Sequence, residues 1–182
     1  VIATTGLGED LLLAIDEAAK RIPVFRSRNM SLGVNLLVEL VKQAKRFLGD
    51  DFVVEIVEMH HNRKLDAPSG TALMLADAVA SCTDREQTYV CGRQDAAKRR
   101  SHDEIGIHSL RGGTMTGEHE VWFMGEDEAV VIKHQAFSRR VFATGALRAA
   151  VFLADKEAGL YGMQDLINAC ANGGADAAVP HS

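Results

Sequence analysis

At 182 residues, with 47% hydrophobic and 25% charged side chains, the chain is long enough to bury a core and too mixed in composition to be disordered or fibrous. A formal charge of -5 argues against a nucleic-acid surface. No apolar run approaches the roughly 18 residues a membrane span needs, and Val1 to Thr5 lack the basic and apolar regions of an export signal, so a cytoplasmic location is expected.

In chain order, Val1 to Ala3 reads as a strand end, Glu9 to Ile22 as a helix and Pro23 to Arg26 as a short strand. Gly6-Leu7-Gly8 is a near-match to a phosphate turn. It lacks the third glycine, and Glu9 and Asp10 at the helix start would repel a pyrophosphate, so it reads as a plain loop. Ser31 can cap a long helix in which Val34, Leu37, Val38, Leu40, Val41, Ala44, Phe47 and Leu48 fall at helical spacing until Gly49. Phe52 to Met59 alternates and is rich in β-branched residues, which predicts a strand delivering His60 at its C-terminal end. A helix follows from Ala72 to about Val79.

Lys98-Arg99-Arg100 reads as a solvated loop between strands. Three more strands are predicted at Ile105 to Arg111, Thr116 to Met124 and Ala129 to Ala136, with Gly112-Gly113 as a tight connection joining the first two. Helices at Arg139 to Leu153 and Met163 to Ala171 precede a loose tail from Asn172. The layout is α+β, a mixed four-stranded sheet with helices on one face. Cys82, Cys91 and Cys170 are odd in number and show no C-x-x-C spacing, so they read as reduced, mostly buried thiols and not as a disulfide or zinc framework.

The chemistry concentrates between Glu58 and Ala72. His60, His61 and Lys64 form a protonatable trio, and Pro68-Ser69-Gly70-Thr71 opens a helix whose first turn offers backbone N–H groups and two hydroxyls, an anion site by construction. Together they suggest an enzyme acting on a small, negatively charged substrate. Ser69 could cap the helix, bind a carboxylate, or both. Asp66 and Pro68 read as shaping the loop. No metal is expected, since Glu58 offers no clean chelate with His60, and His102, His108, His119 and His134 read as dispersed and without direct roles.

Glu58-x-His60-His61-x-x-Lys64-x-Asp66-Ala67-Pro68-Ser69-Gly70-Thr71-Ala72 resembles the signature of the 4-hydroxy-tetrahydrodipicolinate reductase family at unbroken spacing. Thr4-Thr5-Gly6, Asn29 to Asn35, Gly117-Glu118-His119 and the segment from Ser138 to Ala146 also resemble that family, in its order. The resemblance implies reduction by NADPH or NADH of a cyclic imine carrying two carboxylates, in lysine and diaminopimelate biosynthesis. It implies His60 as proton donor, Lys64 as carboxylate anchor and proton supply, and His61, Ser69, Gly70 and Thr71 as substrate contacts. Ala3, Thr4, Thr5, Ser27, Arg28, Asn29, Met30 and Arg139 would face the cofactor, with Ala3 departing from the family's usual glycine.

The resemblance also implies a homotetramer built around associated sheets, in which Phe123, Val130, Val131 and Ile132 would be core or interface. Residues 1–29 would end a Rossmann domain, 30–137 would bind substrate and form the tetramer, and 138–182 would return to the dinucleotide domain. The Gly-rich unit of roughly a hundred residues that opens such a protein has no counterpart here, so the chain reads as a C-terminal portion. Two other readings stay open: an inactive substrate-binding and oligomerisation module, and a cofactor-independent His/Lys lyase.

Overall fold

The computed structural model describes residues 1–94 and 99–171. The expectations for Lys98 and for the tail from Asn172 fall outside these residues. The chain divides into two compact units, one comprising 1–35 with 139–182 and the other 36–138.

The first unit contains helix α1 (Glu9–Ala19), strand β1 (Pro23–Phe25), helix α4 (Arg140–Leu153), strand β7 (Gly159–Tyr161) and helix α5 (Met163–Ala171). β1 and β7 pair in parallel, and Ile2 bridges to Arg26 beside them. β7 is too short to show a periodicity, which is why the sequence does not reveal it. Phe25, Met30, Ala149, Met163 and Leu166 form the buried core of this unit. Gly145 lets α4 come down on the chain at Met30, where a Cβ would lie 1.7 Å from the Met30 carbonyl oxygen.

Helix α2 (Leu32–Leu48) starts as expected, with Ser31 Oγ accepting the Val34 N–H at 3.2 Å, and it ends at Gly49 with φ +68°. The second unit is built on strands β2 (Val53–His60), β3 (Thr88–Cys91), β4 (Glu104–Arg111), β5 (Gly117–Met124) and β6 (Ala129–Ala136), with helix α3 (Gly70–Ala80). The sheet is mixed, in the order β3-β4-β2-β5-β6. Its fifth strand, β3, was not expected; four residues give periodicity little to act on.

Gly112-Gly113 does not close a hairpin, because β4 and β5 lie on opposite sides of β2, parallel and antiparallel to it. The connection instead crosses the end of β2, where Gly112 N–H donates to His60 O at 2.9 Å and His61 N–H to Met115 O at 2.8 Å.

Burial alternates along β2, placing Val54, Ile56, Glu58 and His60 on one face. That face packs under Leu37 and Val41 of α2 and Leu75, Ala76 and Val79 of α3, with Ile105, Ile107, Val121 and Phe123 from the neighbouring strands. Each of these side chains except Ala76 contributes about 1.5–3 kcal/mol by leaving water. Phe123 is therefore core, whereas Val130 and Val131 are part-exposed at 37% and 40%.

Arg100 is not solvated. It reaches across the sheet to Glu55 Oε1 and Val54 O, each at 2.9 Å. The cysteines are free as expected, but Cys91 and Cys170 are exposed and Cys82 is half-buried. Among the described residues no helix is long and apolar enough to cross a membrane.

Candidate functional site

Strand β2 ends where its burial pattern becomes polar, and the two last inward positions, Glu58 and His60, share a face because they are two residues apart. Glu58 is completely buried and its carboxylate is fully used. Arg111, at the end of the adjacent parallel strand β4, grips it with two nitrogens, Nη1 to Oε2 at 2.8 Å and Nη2 to Oε1 at 2.7 Å. Ser69 N–H donates to Oε1 at 3.1 Å, and His60 Nδ1 meets Oε2 at 2.5 Å. One carboxylate thus ties together the end of β2, the end of β4 and the start of α3.

In the sequence Glu58 is weighed only as a metal ligand beside His60 and not as a partner for the ring. A carboxylate orienting an imidazole needs only one oxygen, and the i, i+2 spacing on a strand supplies that geometry. Arg111 carried no sequence signal, since its role depends on which strand neighbours β2. Burial raises the Glu58 pKa more than any other single effect, yet hydrogen bonds from Arg111, Ser109 and His60, with the charge of His60, hold it below the ordinary carboxylate range.

With Nδ1 on Glu58, the opposite nitrogen of His60 lies against the Cα of Gly117, where a Cβ would stand only 3.0 Å from Nε2. Burial is the main cause of a lowered His60 pKa; Glu58 works against it, and the charges of Lys64 and Arg111 reinforce it. Lys64 is thus near enough for its charge to bear on His60, and its Nζ is paired with Asp66 Oδ1 at 2.8 Å. Asp66 shapes the loop as anticipated, its carbonyl accepting from Arg111 Nη2 at 2.6 Å. His61 is half-buried beside His60 in sequence, with its backbone held by Met115.

Ser69 caps α3, its Oγ accepting the Ala72 N–H at 3.1 Å. Gly70 and Thr71 form the first turn, Gly70 exposed and Thr71 half-buried. His119, read as having no role, is brought to this point by β5. It is 4% exposed, its Nε2 lies 2.9 Å from Ser69 Oγ, and its ring meets that of His60 edge-on at 5.2 Å. Burial, followed by the charge of His60, pushes its pKa down to about 3. The strand register that aligns His119 with Glu58 is long-range information, invisible to a local reading. Among the described residues no group of three or more His, Cys, Asp or Glu is arranged to hold a metal ion.

In the first unit, Ala3, Arg28, Asn29 and Met30 line a cavity of about 420 Å³ together with Phe142, Ala143 and Ala146 of α4. Ser27 shapes its turn, Oγ donating to Asn29 O at 2.7 Å, and Asn35 Nδ2 donates to the same carbonyl at 2.9 Å. Thr4 lines a different, mostly apolar cavity with Leu7, Leu11 and Ile15. Thr5 is exposed, as is Arg139 at the N-terminal cap of α4. The first cavity combines apolar side chains with a polar turn. α1 opens with Glu9 and Asp10, so its start does not suit a phosphate.

Residues 33–167 match the family model described as dihydrodipicolinate reductase, C-terminus. The chain is 54% identical to a 4-hydroxy-tetrahydrodipicolinate reductase of Caldanaerobacter subterraneus subsp. tengcongensis over 92% of its own length and 66% of that protein's. It is 49% identical to the same-named protein of Rubrobacter xylanophilus, covering 92% of this chain and 65% of the relative. A dipicolinate-bound dihydrodipicolinate reductase from Paenisporosarcina sp. TG-14 superposes with a TM-score of 0.71 at 27% identity, covering 90% of this chain and 63% of that one. The chain spans about two thirds of the length of the curated relatives it matches. Site, fold and likeness agree: this chain belongs to the dihydrodipicolinate reductase family and carries its C-terminal portion.

Proposed function

We propose that the protein containing this chain reduces 4-hydroxy-tetrahydrodipicolinate to tetrahydrodipicolinate with NADPH or NADH, in lysine and diaminopimelate biosynthesis, as a cytoplasmic homotetramer. In this reading unit 36–138 binds substrate and associates with its copies, and the first unit belongs to the dinucleotide-binding part. The observation that carries the proposal is the Glu58 carboxylate joining an imidazole at a strand end to a capped helix start, so that a proton donor and an anion cradle share one anchor. The named dipicolinate complex of the Paenisporosarcina relative supports a planar dicarboxylate as ligand.

The turn formed by Ser27 to Met30, with Ala3, would hold the nicotinamide end; when bound, that group supplies a hydride. Thr4, Thr5 and Arg139 remain cofactor contacts by resemblance alone. His60 delivers the proton that the ring carbon next to the reduced position requires. Glu58 keeps Nδ1 occupied and leaves Nε2 for that transfer. Lys64 exchanges Asp66 for one substrate carboxylate, and the turn Ser69, Gly70 and Thr71 takes the other, with His61 on the pocket wall.

Burial and two neighbouring cations disfavour protonated His60. A bound dicarboxylate brings negative charge against them, so substrate itself favours loading of the proton.

Calorimetry with pyridine-2,6-dicarboxylate and with NADPH on one sample tests the assignment. Dicarboxylate binding lost in Lys64→Ala is the expected result; absence of dicarboxylate binding by the unaltered chain would overturn the assignment of the site. NADPH is expected to bind weakly to these residues, because a loss of even about 5 kcal/mol of phosphate and ribose contacts weakens binding by roughly four orders of magnitude.

A further inference from the structure

The Ser69 hydroxyl has one hydrogen and two acceptor positions. One acceptor position takes the Ala72 N–H at 3.1 Å, and the other faces His119 Nε2 at 2.9 Å. The Ser69 amide is committed separately to Glu58. The direction of the hydroxyl proton therefore turns on which His119 nitrogen carries hydrogen.

His119 Nδ1 is buried and has no hydrogen-bond partner among the described residues. A buried N–H left without an acceptor costs more than a bare lone pair, and orphaned donors are the rarer case in folded proteins. Burial together with the facing charge of His60 keeps the ring neutral down to about pH 3, so it carries a single proton throughout the working range. That proton belongs on Nε2.

We infer that His119 is a positioning residue for carboxylate recognition: its Nε2–H and the Ala72 N–H fill both acceptor positions of Ser69 Oγ, leaving the hydroxyl proton to point at an incoming carboxylate. The inference deepens the proposed function and rests on the reading of this helix start as a carboxylate site. It turns Ser69 from an ambivalent cap into a one-way donor, whose polarity is set by a residue that need not touch substrate.

The test has two arms on the whole 182-residue chain. Long-range ¹⁵N–¹H correlation of ¹⁵N-histidine-labelled protein at neutral pH reads the tautomer directly, and His119 is expected to carry hydrogen on Nε2. Calorimetry with pyridine-2,6-dicarboxylate then compares His119→Gln, which retains an N–H donor, with His119→Phe, which does not. H119Q should bind within about threefold of wild type and H119F roughly tenfold more weakly, with the difference vanishing in a Ser69→Ala background.

An Nδ1–H tautomer, or H119F binding as well as wild type, overturns the inference while leaving the carboxylate site standing. A wild-type chain that binds no dicarboxylate overturns the carboxylate reading itself, and the inference with it. Should H119F fail to fold, the wild-type tautomer and H119Q still decide.

Discussion

Replacing Glu58 is the sharpest probe of the site's architecture. Glu58→Leu deletes four contacts and leaves the Arg111 guanidinium, 18% exposed, without its counter-charge. Breaking one side of a buried ion pair costs about 3–5 kcal/mol. Arg111 keeps the carbonyls of Leu110 and Asp66 at 2.7 and 2.6 Å and some contact with water, which places this variant near the low end. Arg111→Met should cost nearer the high end, because it strands a carboxylate with no exposure at all.

In the double variant both charges are gone, and what remains is the lost partner of His60 Nδ1 and of the Ser69 N–H, at about 1–3 kcal/mol each. The double variant should therefore fall at least 2 kcal/mol short of the sum of the single losses. Urea denaturation at neutral pH measures this, and Trp122, the single tryptophan, sits on β5 beside β2, so its fluorescence follows the sheet in question. Losses that add within about 0.5 kcal/mol would show that Glu58 and Arg111 do not act on each other, and the anchoring argument would fail.

His60→Gln should lower kcat of the intact reductase by about 10² or more with KM little changed, as expected for loss of a proton donor; near-normal turnover in steady-state assays would remove His60 from that role. Lys64→Ala should raise KM as well as lower kcat, and an unchanged kcat/KM would reduce it to the partner of Asp66. Dicarboxylate binding near pH 7 should take up a fraction of a proton, detected as a binding enthalpy that varies with the ionisation enthalpy of the buffer; identical enthalpies in phosphate and Tris would contradict charge loading of His60.

Stability should fall as pH drops below about 6.5, because the unfolded chain binds a proton that folded His119 refuses until about pH 3. Each pH unit in that window costs up to about 1.4 kcal/mol from this residue, and the lowered His60 acts in the same sense. H119Q should show a shallower decline in urea midpoints between pH 6.5 and 5.

The local pattern sufficed for what local physics decides. The alternation of β2, the Ser31 and Ser69 caps and the periodicity of α2 were all legible because each depends on residues within one or two turns. His60, Lys64 and the helix start were legible as a cluster because one loop holds them. Arg111 and His119 were not, since they enter through the neighbours of β2, and a sequence read along its length gives no strand order. The mistaken hairpin at Gly112-Gly113 has the same origin: adjacency in sequence suggested adjacency in the sheet, whereas β2 had already taken the place between β4 and β5. Arg100 was misjudged because its anchor, Glu55, lies 45 residues away.

That strand order also fixes when the site can come into being. Among the described residues β5 and β6 are the paired strands that join through a short turn, so theirs is the pairing available early. The Glu58–Arg111 bond closes a separation of 53 residues and the Ser69–His119 bond one of 50. Loop-closure entropy must be met before such contacts give any return, which places them late on the folding route. Dicarboxylate binding is then a reporter of finished folding: refolding followed by recovery of ligand affinity should lag behind refolding followed by β5–β6 hairpin signals, and a partly folded chain should bind nothing.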